Sequence, residues 1–184
     1  MHGKEGARVD RIAETAGVNK AMIYYHFRSK DNLYVEVVTS FFRDMVQQVR
    51  STVLDTNDLR AVLEIMARRH VEAFSEAGPI RPIILRELAH PNPEVMIAIA
   101  DVFISTGLPQ KLMSLMQQGM QRGEYRTVDV TQALVAFVSM SLGYFVIAPI
   151  QDMALGITDR AAFAREREKA IVDIFLNGLK VRQP

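Results

Sequence analysis

An all-α chain, with a small N-terminal helix-turn-helix domain followed by a larger helical domain, is predicted by three features. Val9–Lys30 has the spacing of two short helices joined by a tight turn. Beyond it, hydrophobic residues recur at helical intervals between Gly, Pro, Asn and Asp breakers. No run alternates apolar and polar residues between turn signals, so no strand is expected. The chain has 184 residues, 49% of them hydrophobic, enough for a packed core. The expected division is residues 1–45 and 46–184.

In the first helix of the turn motif, Val9, Ile12, Ala13 and Ala16 share one face, with Ala13 the small residue at the crossing. Gly17, four positions on, supplies the left-handed conformation of a three-residue turn, and Asn19 caps the next helix. Ile23 and Phe27 return to the core. A small residue, Gly at +4 and a branched aliphatic at +10 let two helices cross so that the second is free to enter a DNA major groove.

Ser29 caps a long helix, Lys30 to Leu54, that would link the two domains, with Leu33, Val37, Phe41, Met45 and Val49 as its inward stripe. Asn57 or Asp58 opens another through Leu59, Val62, Leu63, Met66, His70 and Phe74, stopped near Gly78-Pro79. Pro79 or Pro82 begins a short helix to about His90, and Asn92-Pro93 is a cap followed by a first-turn proline. Gly107–Pro109 interrupts that helix, and Gln110–Arg122 forms the next. Asp129 and Gln132 make a capping-box-like start to an apolar helix.

That apolar segment, Ala133–Ile150, has 18 residues without a charge, near the lower limit for spanning a bilayer. Ser139, Ser141, Gly143, Tyr144 and Pro149, and the lack of flanking Lys/Arg asymmetry, favour a helix buried on all sides, so no membrane association is expected. The last helix, Asp159 to Val181, carries Phe163, Ala170, Ile171, Ile174, Phe175, Gly178 and Leu179 on one side, and Arg165, Glu166, Glu168 and Lys169 on the other. Together with the apolar helix and the same pair from a second subunit it can form a four-helix, two-fold interface. The residues expected there are Phe137, Ser141, Tyr144, Phe163, Ile171, Ile174, Phe175 and Gly178, and packing within one chain is the alternative.

Net charge is only +1, which argues against a general polyanion binder, but it is unevenly spread. Residues 1–30 hold six cations, Lys4, Arg8, Arg11, Lys20, Arg28 and Lys30, against Glu5, Asp10 and Glu14. That local excess suits phosphate contact. With no cysteine there is no disulfide framework or thiolate metal site, which suits a reducing cytoplasm. No phosphate-binding Gly-rich loop, nucleophile elbow, zinc signature or Ser/His/Asp constellation stands out, so no enzymatic activity and no cofactor are expected. Glu87 and His90, as E-L-A-H, resemble half of a helical carboxylate-histidine metal motif, but such sites use the element twice and no metal is expected.

Ile12-Ala13, Ala16-Gly17-Val18 and Ile23-Tyr24-Tyr25-His26-Phe27 followed by Lys30 closely resemble the tetracycline-repressor (TetR) family of bacterial transcriptional regulators. The resemblance covers Gly3 to about Val38, and the remainder agrees in length and helical layout. It implies an all-α homodimer, DNA binding through the family's second and third helices, and a small-molecule site in the helical body. The implied function is a ligand-responsive regulator, a repressor released from a two-fold operator by a small, largely apolar effector. A dimeric helical small-molecule-binding protein without DNA binding is the alternative.

Carried over residue by residue, Tyr24 and His26 match positions that contact phosphates, and Lys30 matches the basic residue opening the family's fourth helix. These contacts set register. Asn19, Lys20, Ala21, Met22 and Tyr25 lie where the family reads bases: Lys20 can donate to guanine O6 and N7, and Ala21 or Met22 can touch a thymine methyl. Adjacent residues on a helix face about 100° apart, so at least one of Tyr24 and Tyr25 should be exposed. Ala7 and Arg8 stand where the family usually has a capping Thr or Ser, with Arg8 substituting charge for that phosphate contact. Ala21 and Met22 replace the family's frequent Gly and Thr, implying a different operator. Gly3-Lys4-Glu5-Gly6 resembles the loop after the family's first helix, so the natural protein is expected to begin about 15–20 residues earlier, roughly one helix with a tail. Without that helix Val9, Ile12, Ile23 and Phe27 would lose a packing partner.

For the effector, Met66, His70, Phe74, Ile84, Phe103, Met113, Met116, Met120, Phe137, Met140 and Tyr144 are candidates to line an apolar cavity, because Met adapts to irregular shapes. Ordinary core packing is the competing explanation for each. His70, Arg86 and Glu87 are the polar candidates, since an inward-pointing polar group needs a partner that a ligand can supply.

Overall fold

The computed structural model describes residues 6–181. Among these, nine α-helices follow one another: α1 (Val9–Ala16), α2 (Lys20–Phe27), α3 (Lys30–Asp55), α4 (Leu59–Glu76), α5 (Arg81–Ala89), α6 (Pro93–Ser105), α7 (Leu108–Gln121), α8 (Val130–Leu155) and α9 (Arg160–Leu179), with a 3₁₀ turn at Gly78–Ile80. Of the loop expected at Gly3–Gly6, only Gly6 lies among the described residues, and it is helical.

Side chains that satisfy the first unpaired amides set the helix starts. Asn19 Oδ1 accepts from the Ala21 amide at 2.9 Å, and Ser29 Oγ from Asn32 at 3.0 Å. Asp58, Asn92, Asp129 and Asp159 each accept from an amide two or three residues on at 2.9 Å. The helix expected from Gln110 begins earlier, at Leu108, because Gly107 adopts a left-handed φ of 73° and Pro109 needs no donor in a first turn.

The chain groups into two compact units: the described residues up to Asp44 together with Pro79–Val102, and Met45–Gly78 together with the chain from Phe103 onward. The first boundary lies one residue from the expected one, but α5 and most of α6 return to the N-terminal unit. Glu87 supplies the chemistry of that return. It is buried, and its Oε2 accepts from the Tyr34 hydroxyl while its Oε1 accepts from the Asn92 amide, each at 2.6 Å. Burial and this bond push the Tyr34 phenol up to about 12.

In the N-terminal unit, Val9, Ala13 and Ile23 form a small core, with Ile12, Phe27 and Leu33 packed against it. Val9 and Ile23 are therefore covered by their neighbours within the unit, whereas Ala16 faces solvent. Ile12 opens onto an apolar cleft of about 150 Å³ that it lines with Ala7, Lys30, Leu33, Tyr34, Val37 and Ile83. Along α3 the buried stripe is Val38, Phe42, Met45, Val46, Val49 and Val53, while Val37 is exposed. Val37/Phe41 and Val38/Phe42 are both apolar pairs at helical spacing, so periodicity does not separate them.

The second unit is held by aromatic and aliphatic packing between α4, α7, α8 and α9. Phe74 and Phe145 have ring centroids 5.6 Å apart, and Phe137 and Phe175 are 5.3 Å apart. Arg126 ties the α7–α8 link to the end of α9, its amide donating to the Leu179 carbonyl and its Nε to the Gly178 carbonyl, both at 2.8 Å.

The α8 helix is not buried on all sides, as its composition suggested. Val135, Val138, Val146, Ile147, Ile150, Met153 and Leu155 are exposed, Met153 at 88%. By length and composition α8 alone among the described single helices could cross a membrane. It bends at Ile147, whose φ is −118°, two residues before Pro149, which has no amide to donate. Past the bend, the Tyr144 hydroxyl donates to Asp152 at 2.9 Å, Arg160 pairs with the same buried carboxylate, and the Arg167 guanidinium lies 5.5 Å from the Tyr144 ring centre.

Candidate nucleic-acid interface

Helices α1 and α2 are joined by Gly17, whose φ of 66° lets its amide close the end of α1 on the carbonyls of Ala13 and Glu14. Asn19 then caps α2, and Ile23 anchors that helix to the core through one face. Everything else on α2 except the half-buried Phe27 turns outward: Lys20, Ala21, Met22, Tyr24, Tyr25 and His26 are exposed, Tyr24 at 41% and Tyr25 at 79%. Both tyrosines are thus at the surface, one more than geometry required. Tyr25 and His26 rings meet edge to face at 5.4 Å.

Arg8 is the N-cap residue of α1, and its side chain makes no cap bond to the first amides of that helix. Together with exposed Arg8 and Arg11, these amides make the start of α1 suited to a phosphate oxygen. Lys30 opens α3 and is half-buried. Two further features of this surface were not anticipated. Lys20 Nζ is paired with Asp10 on α1 at 2.7 Å; their mutual hydrogen bond raises the lysine and lowers the carboxyl from their ordinary values. Arg28, between α2 and α3, has φ 68° and ψ −44°, a left-handed conformation unusual for a side-chain-bearing residue. The Ser29 amide donates across it to the Phe27 carbonyl at 2.7 Å, closing a strained three-residue turn that leaves Arg28 exposed. The cation count included Arg28, but sequence carries no signal for its backbone strain.

The candidate effector residues divide between the two units. Arg86 is exposed, and Glu87, bound to Tyr34 and Asn92, has both carboxylate oxygens engaged; these two and Ile84 lie in the N-terminal unit. Met66, His70, Phe74, Phe103, Met113, Met116, Met120, Phe137, Met140 and Tyr144 lie in the second. There His70 is buried, its Nδ1 has no hydrogen-bond partner, and burial pushes its pKa down to about 4, so the imidazole is neutral at pH 7. Arg126, Asp129, Met140, Ile174, Phe175 and Gly178 are among the residues around a groove of about 340 Å³ beside α8 and α9.

Of the residues expected between subunits, Phe137, Ser141, Tyr144, Ile171 and Phe175 are already covered within one chain, and Phe163 is half-buried. Ile174, 64% exposed, and Gly178 face solvent, as do the apolar residues along α8 named above. An apolar face is left uncovered, but it is rotated from the expected one. On a helix apolar all round, such as α8, spacing does not select a face.

An exposed second helix locked by a glycine turn to a supporting helix, with cations around it, is the geometry of a helix-turn-helix. Residues 1–37 match the family model described as "Bacterial regulatory proteins, tetR family". The match is confined to the N-terminal head, which is similar to that of TetR-family regulators. It is 26% identical to the HTH-type transcriptional repressor KstR2 of Rhodococcus jostii over 132 residues, 71% of this chain and 64% of that protein. It is 40% identical to the HTH-type transcriptional activator FasR of Mycolicibacterium smegmatis over 72 residues, 39% of this chain and 31% of that protein. These matches span less than two thirds of either relative. The fold resembles the transcriptional regulator FadR from Bacillus subtilis, solved in complex with stearoyl-CoA, with a TM-score of 0.75 and 17% identity over 97% of this chain and 91% of that one.

Proposed function

We propose that the chain is a cytoplasmic, ligand-responsive transcriptional regulator, a repressor that binds a two-fold operator as a homodimer and is released by a small, largely apolar effector. The outward face of α2 carries this reading: Lys20, Met22, Tyr24, Tyr25 and His26 are exposed on a short helix anchored by Ile23 and Phe27. In it, Lys20, Ala21, Met22 and Tyr25 meet base edges, with Asn19 at the helix start, while Arg8, Tyr24, His26 and Lys30 meet the phosphate backbone. The exposed apolar residues of α8, with Ile174, are the surface for a second copy, which would bring two heads to half-sites about 34–36 Å apart. The effector is assigned to the second unit, which holds neutral, buried His70 as a polar contact together with the apolar Met66, Phe74, Met113 and Met116. The FadR complex makes acyl thioesters the first ligand class to test.

Selection from a random duplex pool, followed by anisotropy titration, tests DNA reading. The expected result is an enriched two-fold sequence bound in a salt-sensitive way and released by effector. Equal binding to the enriched and scrambled duplexes refutes it. For the dimer, Ile174→Arg should convert a dimer to monomer in sedimentation, and an unchanged sedimentation coefficient contradicts the assignment. Whether bound protein lowers or raises transcription from a template bearing the selected site decides between repression and activation.

A further inference from the structure

The Asp10–Lys20 pair stands where the chain would benefit from free cations. Both side chains are well exposed, yet the ammonium is not unpaired: it lies 2.7 Å from Oδ1 of a carboxylate on the neighbouring helix. Asp10 sits in the first turn of α1, beside the surface suited to phosphate, and Lys20 is the first residue of α2. A carboxylate there cancels one charge of the head and repels the DNA backbone, the opposite of what raw affinity requires.

The arithmetic of donors gives the pair a use. A lysine ammonium has three donors and Asp10 takes one, leaving two for guanine O6 and N7 without breaking the pair. A phosphate bound by the same ammonium would stand beside the Asp10 carboxylate, negative charge against negative charge, whereas the guanine acceptors carry no net charge. Contact with a base is therefore compatible with the pair, whereas contact with a passing phosphate is disfavoured by the carboxylate beside it. A lysine is a flexible point charge that does not choose between these partners on its own.

We propose that Asp10 is a positioning residue for Lys20: it holds the ammonium toward the base edges and withholds it from phosphates, raising discrimination between operator and other DNA at the expense of overall affinity. This rests on the assignment of Lys20 to base reading.

The test uses the full chain with Asp10→Asn, Asp10→Glu, Lys20→Met and the Asp10→Asn/Lys20→Met double variant. Each is titrated by anisotropy against a duplex enriched from a random pool and against its scrambled counterpart. Because the pair is exposed, circular dichroism should show all variants folded. Asp10→Asn should bind scrambled DNA more tightly and lose selectivity. Its log–log salt slope on scrambled DNA should steepen by about 0.9, the value of one added phosphate contact. Its affinity advantage should therefore shrink about threefold to fourfold between about 50 and 200 mM salt. Asp10→Glu, which keeps the carboxylate, should retain most of the selectivity. In the Lys20→Met background, Asp10→Asn should change neither the slope nor the selectivity ratio.

If Asp10→Asn alters slope and ratio equally in that background, the carboxylate acts by general charge and the proposal is overturned. An unchanged slope in Asp10→Asn itself overturns it as well. If the parent protein shows no preference between the two duplexes, the DNA-reading assignment fails first and the proposal falls with it.

Discussion

His70 should make the protein acid-sensitive, and the size of the effect can be worked from its burial. An imidazole in water titrates near 6.5; inside the second unit it is pushed down to about 4 by desolvation alone, with Nδ1 unpartnered. Above pH 6.5 folded and unfolded chains both carry it neutral, so its contribution to stability is fully present. As pH falls from 6.5 toward 4, the unfolded chain takes up a proton that the folded chain refuses, and stability is lost. Each pH unit in that window costs about 1.4 kcal/mol, so the whole window costs about 3 kcal/mol. Urea unfolding of the parent and of His70→Leu at pH 7.5, 6, 5 and 4 reads this directly. The exposed carboxyls of Glu36 and Glu124, held low by hydrogen bonds to Arg43 and Arg122, also lose stability in acid, but they do so equally in both proteins. The parent should fall more steeply than His70→Leu by about 3 kcal/mol over the window. Parallel curves would show that the imidazole is solvated or partnered, and the reasoning would fail.

Three other outcomes follow from named contacts. Arg28→Gly relieves a left-handed backbone, so thermal unfolding should show a gain of about 1 kcal/mol, while DNA binding weakens by loss of one cation; a stability loss contradicts the strained turn. Tyr34→Phe leaves the buried Glu87 carboxylate short of a donor and should cost about 1–3 kcal/mol. In the parent, the raised Tyr34 phenol adds no pH dependence below 10, and stability declines from 10 toward about 12 as only the unfolded chain ionises; alkaline unfolding that matches Tyr34→Phe refutes the bond. Gly119→Ala should destabilise by about 1–2 kcal/mol despite alanine's helix preference, because its Cβ would lie 2.3 Å from the Tyr125 ring; a more stable variant in urea refutes that crowding.

The reading head was legible because its determinants are local. Gly17 and Asn19 act within four residues of themselves, and Ile23 needs only the helical period to find the core. Caps at Asp58, Asn92, Asp129 and Asp159 were readable for the same reason. What the sequence hid was long-range or rotational. The Tyr34–Glu87 bond spans 53 residues and draws α5 into the N-terminal unit, so a boundary drawn from chain order put it elsewhere. On α3 and α8, neighbouring apolar residues offer two faces of equal hydrophobicity, and only the packed partner decides between Val37 and Val38 or leaves Ile150 outside. The Asp10–Lys20 pair and the Arg28 turn were beyond reach because charge and spacing do not encode side-chain pairing across a turn or a positive φ.

Sequence-selective DNA binding by α2 is the central claim, and a single titration addresses it most directly. The full chain is measured against a pool-selected duplex and its scramble, beside a Lys20→Met/Tyr25→Ala variant whose exposed positions leave the core intact. The account predicts a preference of about a thousandfold or more in the parent, with most of it lost in the variant while weak salt-dependent binding persists. Equal affinity for both duplexes, or a preference that survives both substitutions, would contradict it.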